Sequence, residues 1–233
     1  MAAEIKSLSL QELVLKLFDV KGLKFGRFVM RTGEVTPIYI DMRVIWTYPE
    51  LVVSVCEHIW DLFERKNISC DLLCGLPYQG IPIASYLSTK YNVPMLLKRK
   101  RPKDYGTKQF FEGHYRADQK VVIVDDVLMT GGTIVEDIPV FRDEGLSVEA
   151  SVIFFDRQQG GMERIKHIHG VDTHCVLSLS DALQFLLEAG KISQETVDAT
   201  HQYLSTNRFD TAKYGVELGT GNEELIKQVN NCA

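Results

Sequence analysis

Leu10, Leu13, Val14 and Leu17 recur at the three- and four-residue spacing of a helix that buries one face. Ser9, with Glu12 three residues on, has the form of a capping box ahead of that helix, which should end near Gly22. Two β-rich runs follow, residues 25–30 and 37–41, separated by Thr32, Gly33 and Glu34; they read as a hairpin. Residues 48–66 return to helical spacing through Leu51, Val52, Val55, Ile59, Leu62 and Phe63. Strands and helices then alternate: a strand at 71–75, a helix at 81–91, strands at 94–97 and 120–125, a helix at 133–144 and strands at 148–155 and 174–179. These strands lack polar alternation, so both of their faces should be buried. With helices between them, they predict an α/β fold with a parallel sheet flanked by helices. Pro139 should kink or shorten the helix that contains it. One domain is expected over residues 1–209, with a small helix-and-hairpin hood at 1–45 and a core at 46–209 closed by two helices. Residues 210–233 form a polar tail with a weak helical pattern at 223–229.

Composition narrows the classes. A chain of 233 residues with 45% hydrophobic positions can build a sizeable core, and its net charge of −5 argues against a nucleic-acid partner. The five cysteines, Cys56, Cys70, Cys74, Cys175 and Cys232, are odd in number and suggest no disulfide framework. Cys70 and Cys74 read as core packing, and His167 with His169 as a solvated helix end rather than a metal pair. The N-terminus lacks a basic start followed by an apolar run, and no stretch approaches the ~18 apolar residues of a membrane helix. A soluble, cytoplasmic protein with no membrane partner is expected.

Two segments carry chemistry. Residues 121–133, VVIVDDVLMTGGT, take an apolar strand into two adjacent carboxylates, Asp125 and Asp126, then through Thr130, Gly131, Gly132 and Thr133 into a helix. Glycines let backbone N–H groups approach a phosphate, the helix N-terminus favours its charge, and the carboxylates can accept hydrogen bonds from sugar hydroxyls. The alternative is a capped helix with turn aspartates. No Gly-Lys-Ser/Thr follows, so this is not a Walker loop. The second segment, residues 98–108, is KRKRPKDYGTK, rich in cations and broken by Pro102 and Gly106. It suits an anion that comes and goes; a solvated basic loop is the bland alternative.

VVIVDDVLMTGGT resembles the phosphoribosyl-pyrophosphate (PRPP) motif of type I phosphoribosyltransferases. The resemblance implies that Asp125 and Asp126 serve the ribose. It also implies that PRPP contacts run on through Val127, Leu128 and Met129 to Thr130, Gly131, Gly132 and Thr133, which wrap the 5′-phosphate. The basic loop resembles the catalytic loop of orotate phosphoribosyltransferases, which assigns Arg99, Lys100 and Lys103 to the pyrophosphate, with Lys103 the chief catalytic cation and Tyr105 beside it. GLPYQG at 75–80 resembles the family's pyrophosphate loop, with Tyr78 and Gln79 in the contacting positions; Arg31 is a further PRPP contact. PIYID at 37–41 resembles the orotate-edge strand, with Tyr39 and Ile40 against the base. In FFDRQQGG, Arg157 stands where the family meets the orotate carboxylate. Met129 stands where many members have a base-contacting threonine, while Arg31 and Gln79 stand where many have lysine.

The similarity covers residues 13–207 and is nearest to the phosphoribosyltransferase half of animal UMP synthases. It implies transfer of phosphoribosyl from PRPP to orotate, with Mg²⁺ carried mainly on PRPP rather than by protein ligands. It implies a homodimer with shared active sites and an association with orotidine monophosphate decarboxylase. The rival readings are transfer to another base and a non-catalytic PRPP-binding paralogue.

Overall fold

A computed structural model describes residues 5–29, 35–101 and 110–209. Helix α1 (Leu10–Asp19) begins at the reciprocal Ser9–Glu12 capping box. Strands β1 (Leu23–Val29) and β2 (Val35–Ile40) pair antiparallel as a separate two-stranded sheet, with an irregularity between Phe25 and Phe28. A short 3₁₀ helix (Met42–Thr47), capped by the Asp41 side chain, leads into α2 (Pro49–Arg65).

The alternating region supplies β3 (Leu72–Gly75), α3 (Gly80–Tyr91), β4 (Met95–Lys98), β5 (Phe111–Glu112), β6 (Lys120–Leu128), α4 (Gly132–Asp143), β7 (Ser147–Asp156), α5 (Gly161–His169) and β8 (Asp172–Ser178). Helices α6 (Leu179–Glu188) and α7 (Gln194–Thr206) close it. The six strands lie in the order β5-β4-β3-β6-β7-β8, all parallel except β5, which is antiparallel to β4. The sheet is therefore mostly rather than wholly parallel. Its antiparallel edge is a two-residue strand, too short to leave a periodic trace in the sequence.

Burial on both faces explains the unbroken apolar strands. In β6, Val122 and Val124 join a core with α1, α2, α3, α6 and α7, while Val121 and Ile123 join a second core with α4 and α5. Pro139 does not shorten α4, which runs on to Asp143. Proline has no N–H to give the Val135 carbonyl one turn back, and His169 Nε2 occupies that carbonyl instead, at 2.9 Å. His169 is thus half-buried and bonded rather than a solvated helix end.

Chain order sets the site. From β3 the chain moves outward to β4 and β5, then returns across β3 to lay down β6, β7 and β8. Such a reversal opens a crevice at the carboxyl ends of the flanking strands, here β3 and β6.

Candidate active site

The strand carrying the paired carboxylates is longer than its apolar run. β6 pairs with β3 only as far as Gly75↔Val124 but stays paired with β7 to Leu128↔Asp156. Asp125 and Asp126 are therefore the first residues beyond the end of β3, at the mouth of the crevice. By strand alternation they face opposite sides, Asp125 continuing the Ile123 face and Asp126 the Val124 face. Burial and the charge of Asp126 hold the Asp125 carboxyl well above the ordinary carboxylate range. Burial also raises Asp126, against hydrogen bonds from Asp125 and the backbone and the positive charge of Arg43.

On the Asp125 face, Lys98 ends β4 and pairs with Asp137 of α4, Nζ to Oδ1 2.8 Å. Lys98 is 4% exposed. Although it opens the basic segment, it is a buried strut between β4 and α4.

Three loops surround the aspartates. After β6, Gly131 caps α4 with φ +73°, where a Cβ would lie 2.9 Å from the Gly161 carbonyl oxygen. Beneath this turn the buried Arg164 guanidinium donates to the Thr130 carbonyl (3.3 Å) and lies 4.8 Å from the Phe209 ring centroid. A cation under a turn that presents helix N–H groups raises its affinity for a phosphate. After β3, the 75–80 segment folds back on itself. A Cβ on Gly75 would meet the Gly80 oxygen at 2.1 Å, and one on Gly80 would meet the Val124 oxygen at 2.2 Å. Only glycine fits at either position. The Pro77–Tyr78 peptide is cis. The Tyr78 ring is exposed, with Lys100 Nζ 5.6 Å from its centroid, while Gln79 accepts a hydrogen bond from Trp46 Nε1.

After β7, Arg157 is 2% exposed. Its backbone N–H donates to the Leu128 carbonyl (2.9 Å). Its guanidinium donates to Thr36 Oγ1 of the hood (3.1 Å) and lies against Met129 Sδ (3.6 Å).

Arg99 sits at the base of the basic segment. Its N–H donates to the Phe110 carbonyl, and its guanidinium pairs with Glu112 of β5 at 3.0 Å. Arg31, Lys103 and Tyr105 lie outside the described residues. Tyr39 and Ile40 adjoin on β2 but face opposite ways. Ile40 packs on the core, while Tyr39 packs against Phe28 and accepts a hydrogen bond from Arg43. A hollow of about 440 Å³ between the β1–β2 hairpin and α7 includes Thr36 and Arg27 in its lining but no carboxylate.

The profile of the phosphoribosyl transferase domain matches residues 47–179. The chain belongs to the phosphoribosyl transferase family. Within it, orotate phosphoribosyltransferase from Chlamydia caviae is 32% identical over 195 residues, covering 83% of this chain and 93% of that one. The bovine uridine 5′-monophosphate synthase is 36% identical over 203 residues, 87% of this chain and 42% of the relative. Among solved structures, Leishmania donovani UMP synthase superposes with a TM-score of 0.75 at 32% identity, over 84% of this chain and 42% of that chain. Orotate phosphoribosyltransferase from Aeropyrum pernix gives 0.66 at 26% identity, over 78% of this chain and 99% of that one. The chain thus spans less than half the length of the bovine relative.

As a phosphoribosyl transferase family member, the chain carries site neighbours that its motifs do not announce. Thr36, Arg43, Trp46 and Arg164 all touch predicted site residues. Arg164 could have been suspected: it stands at helical spacing from Gly161 on the buried face of α5, where an arginine is costly without a task.

Proposed function

We propose that the chain is an orotate phosphoribosyltransferase of pyrimidine synthesis, converting PRPP and orotate to orotidine 5′-monophosphate and pyrophosphate. The observation that carries this reading is Arg157. It is a buried cation, held by Thr36 and lying against Met129, one strand over from the carboxylates of β6. A fixed guanidinium beside a sugar-phosphate crevice suits a base that bears its own carboxylate.

In the reaction the C1–O bond to pyrophosphate breaks, the bond from C1 to the base nitrogen forms, and no protein nucleophile takes part. The 130–133 turn holds the 5′-phosphate on backbone N–H groups, with Arg164 beneath it. Asp125 and Asp126 accept hydrogen bonds from the ribose hydroxyls, and the ionised aspartate favours the electron-poor sugar. Arg99 leaves Glu112 to join Lys100 and Lys103 on the departing pyrophosphate, which stabilises the charge that develops there. Gln79 and Tyr78 line the same end, with Arg31 and Tyr105 as further contacts.

Two largely covered carboxylates at the mouth of the crevice offer hard oxygen donors but no closed cage. That fits Mg²⁺ arriving on PRPP; once bound, the ion neutralises charge on the pyrophosphate. The proposal extends to a homodimer with shared sites and a cytoplasmic location; likeness to UMP synthases supports an association with orotidine monophosphate decarboxylase.

The test is pyrophosphate release from PRPP with a panel of bases. Orotate alone should support turnover. Arg157→Ala should raise the orotate KM at least about tenfold, the worth of one charge-assisted hydrogen bond, and leave the PRPP KM nearly unchanged. Equal rates with orotate and uracil would refute the base assignment. Binding of PRPP without turnover on any base would favour a non-catalytic paralogue.

A further inference from the structure

A third wall of the crevice comes from the 3₁₀ helix at Met42–Thr47. In a 3₁₀ helix, side chains three apart lie one above the other, so Arg43 and Trp46 share a face. Trp46 donates its indole N–H to Gln79, which docks that face on the loop after β3. Arg43 lies on the same side by that spacing, and its positive charge favours the ionised form of Asp126.

The Arg43 side chain is 61% exposed yet fixed from two directions. Nε and Nη2 donate to the two oxygens of Asp41 at 2.6 and 3.0 Å, and Nη2 also donates to the Tyr39 hydroxyl at 3.1 Å. Nη1 has no protein partner among the described residues. An exposed arginine ordinarily loses considerable side-chain freedom on gripping a ligand. Here Asp41 and Tyr39 have already spent that freedom, leaving the Nη1 pair of N–H donors to meet a ligand. Gln79 brings an amide rather than a charge to that wall, so the Arg43 cation is its fixed positive group.

We propose that Arg43 is a PRPP-binding residue, which donates through Nη1 to the pyrophosphate end of the substrate and is held for that task by Asp41 and Tyr39. The inference rests on the PRPP reading of the crevice but not on the identity of the base. A merely local Arg43–Asp41 surface pair is the competing account, and it predicts no effect on ligand binding.

Isothermal titration separates the two, with PRPP and with inorganic pyrophosphate, each with Mg²⁺ and no base, into the full chain and its Arg43→Ala and Arg43→Lys variants. Arg43→Ala should weaken both ligands by about tenfold or more, the loss of one charge-assisted hydrogen bond. Arg43→Lys should recover part of that loss. An unchanged thermal midpoint would show that the fold is intact. Asp41→Asn, which leaves the cation but loosens it, should fall between parent and Arg43→Ala. Unaltered pyrophosphate and PRPP binding in a folded Arg43→Ala protein would overturn the assignment. Failure of the parent itself to bind PRPP would instead bring down the crevice reading, and this inference with it.

Discussion

Asp125 and Asp126 show how residues of a proposed site can work against the fold that holds them. Both carboxyls sit above the usual range, Asp125 because burial and the adjacent charge of Asp126 oppose its ionisation. A carboxyl whose pKa is higher folded than unfolded binds more protons in the folded state. Its contribution to stability therefore falls as pH rises from the unfolded value of about 4 through the folded one. Above that window the full penalty is present. Replacing both by asparagine should raise the melting temperature at about pH 7.5, by about 2–4 °C for each kcal/mol relieved in a chain of this size. The gain should shrink as the pH is lowered toward about 4, and phosphoribosyl transfer should be lost. Melting below the parent at pH 7.5 would mean that the folded protein stabilises these charges. The motif made both aspartates legible, because strand, carboxylates and glycine turn are contiguous. It could not tell that burial holds both carboxyls above their ordinary range.

Among the elements, α4 runs where its sequence predicts a helix, but Pro139 does not interrupt it. A proline eight residues into a helix should cost about 3 kcal/mol or more, yet the helix continues, with the Val135 carbonyl taken by His169 of α5. Burial lowers the His169 pKa, so the ring is neutral at pH 7 and donates from Nε2. His169→Ala should then destabilise the protein by about 1–2 kcal/mol, the cost of a buried carbonyl left unpaired. In a Pro139→Ala background the new N–H can reach the same carbonyl, so the second loss should be smaller by at least about 0.5 kcal/mol. Urea unfolding of the four proteins measures that coupling, and equal losses in both backgrounds would remove His169 from this role. The missed elements have physical reasons. The 3₁₀ helix is too short to show a period, and β5 spans two residues. α5 opens on two glycines, with a buried arginine on its inner face. β6 extends past its apolar run because β7 still pairs with it after β3 has ended.

At the scale of the whole molecule, the proposed shared sites make a prediction that no single subunit can satisfy. Lys103→Ala should lose kcat while retaining PRPP binding, because its interaction counts most as pyrophosphate leaves. The Asp125→Asn, Asp126→Asn protein should be inactive through its sugar site. If the basic segment at 98–108 acts as a flap that serves the partner's crevice, mixing the two with subunit exchange gives dimers in which one site has both aspartates and a lysine from its neighbour. Recovery should approach about a quarter of parent activity, since about half the dimers are mixed and each has one working site of two. Exchange confirmed by native mass spectrometry without recovery would assign the flap to its own subunit.

The sequence by itself determined the α/β class, most of the core strands and helices, and the contiguous PRPP motif. Each of these is a local pattern: a period of 3.6, an unbroken apolar run, a turn whose glycines neighbour the groups they serve. Only the tertiary structure decided which distant side chains meet at the crevice. Thr36 holds Arg157 across 121 positions, Trp46 holds Gln79 across 33, and Lys98 of β4 reaches Asp137 of α4. Those contacts follow from the chain's return across β3 and from the docking of the hood, and neither leaves a periodicity in the residues it brings together.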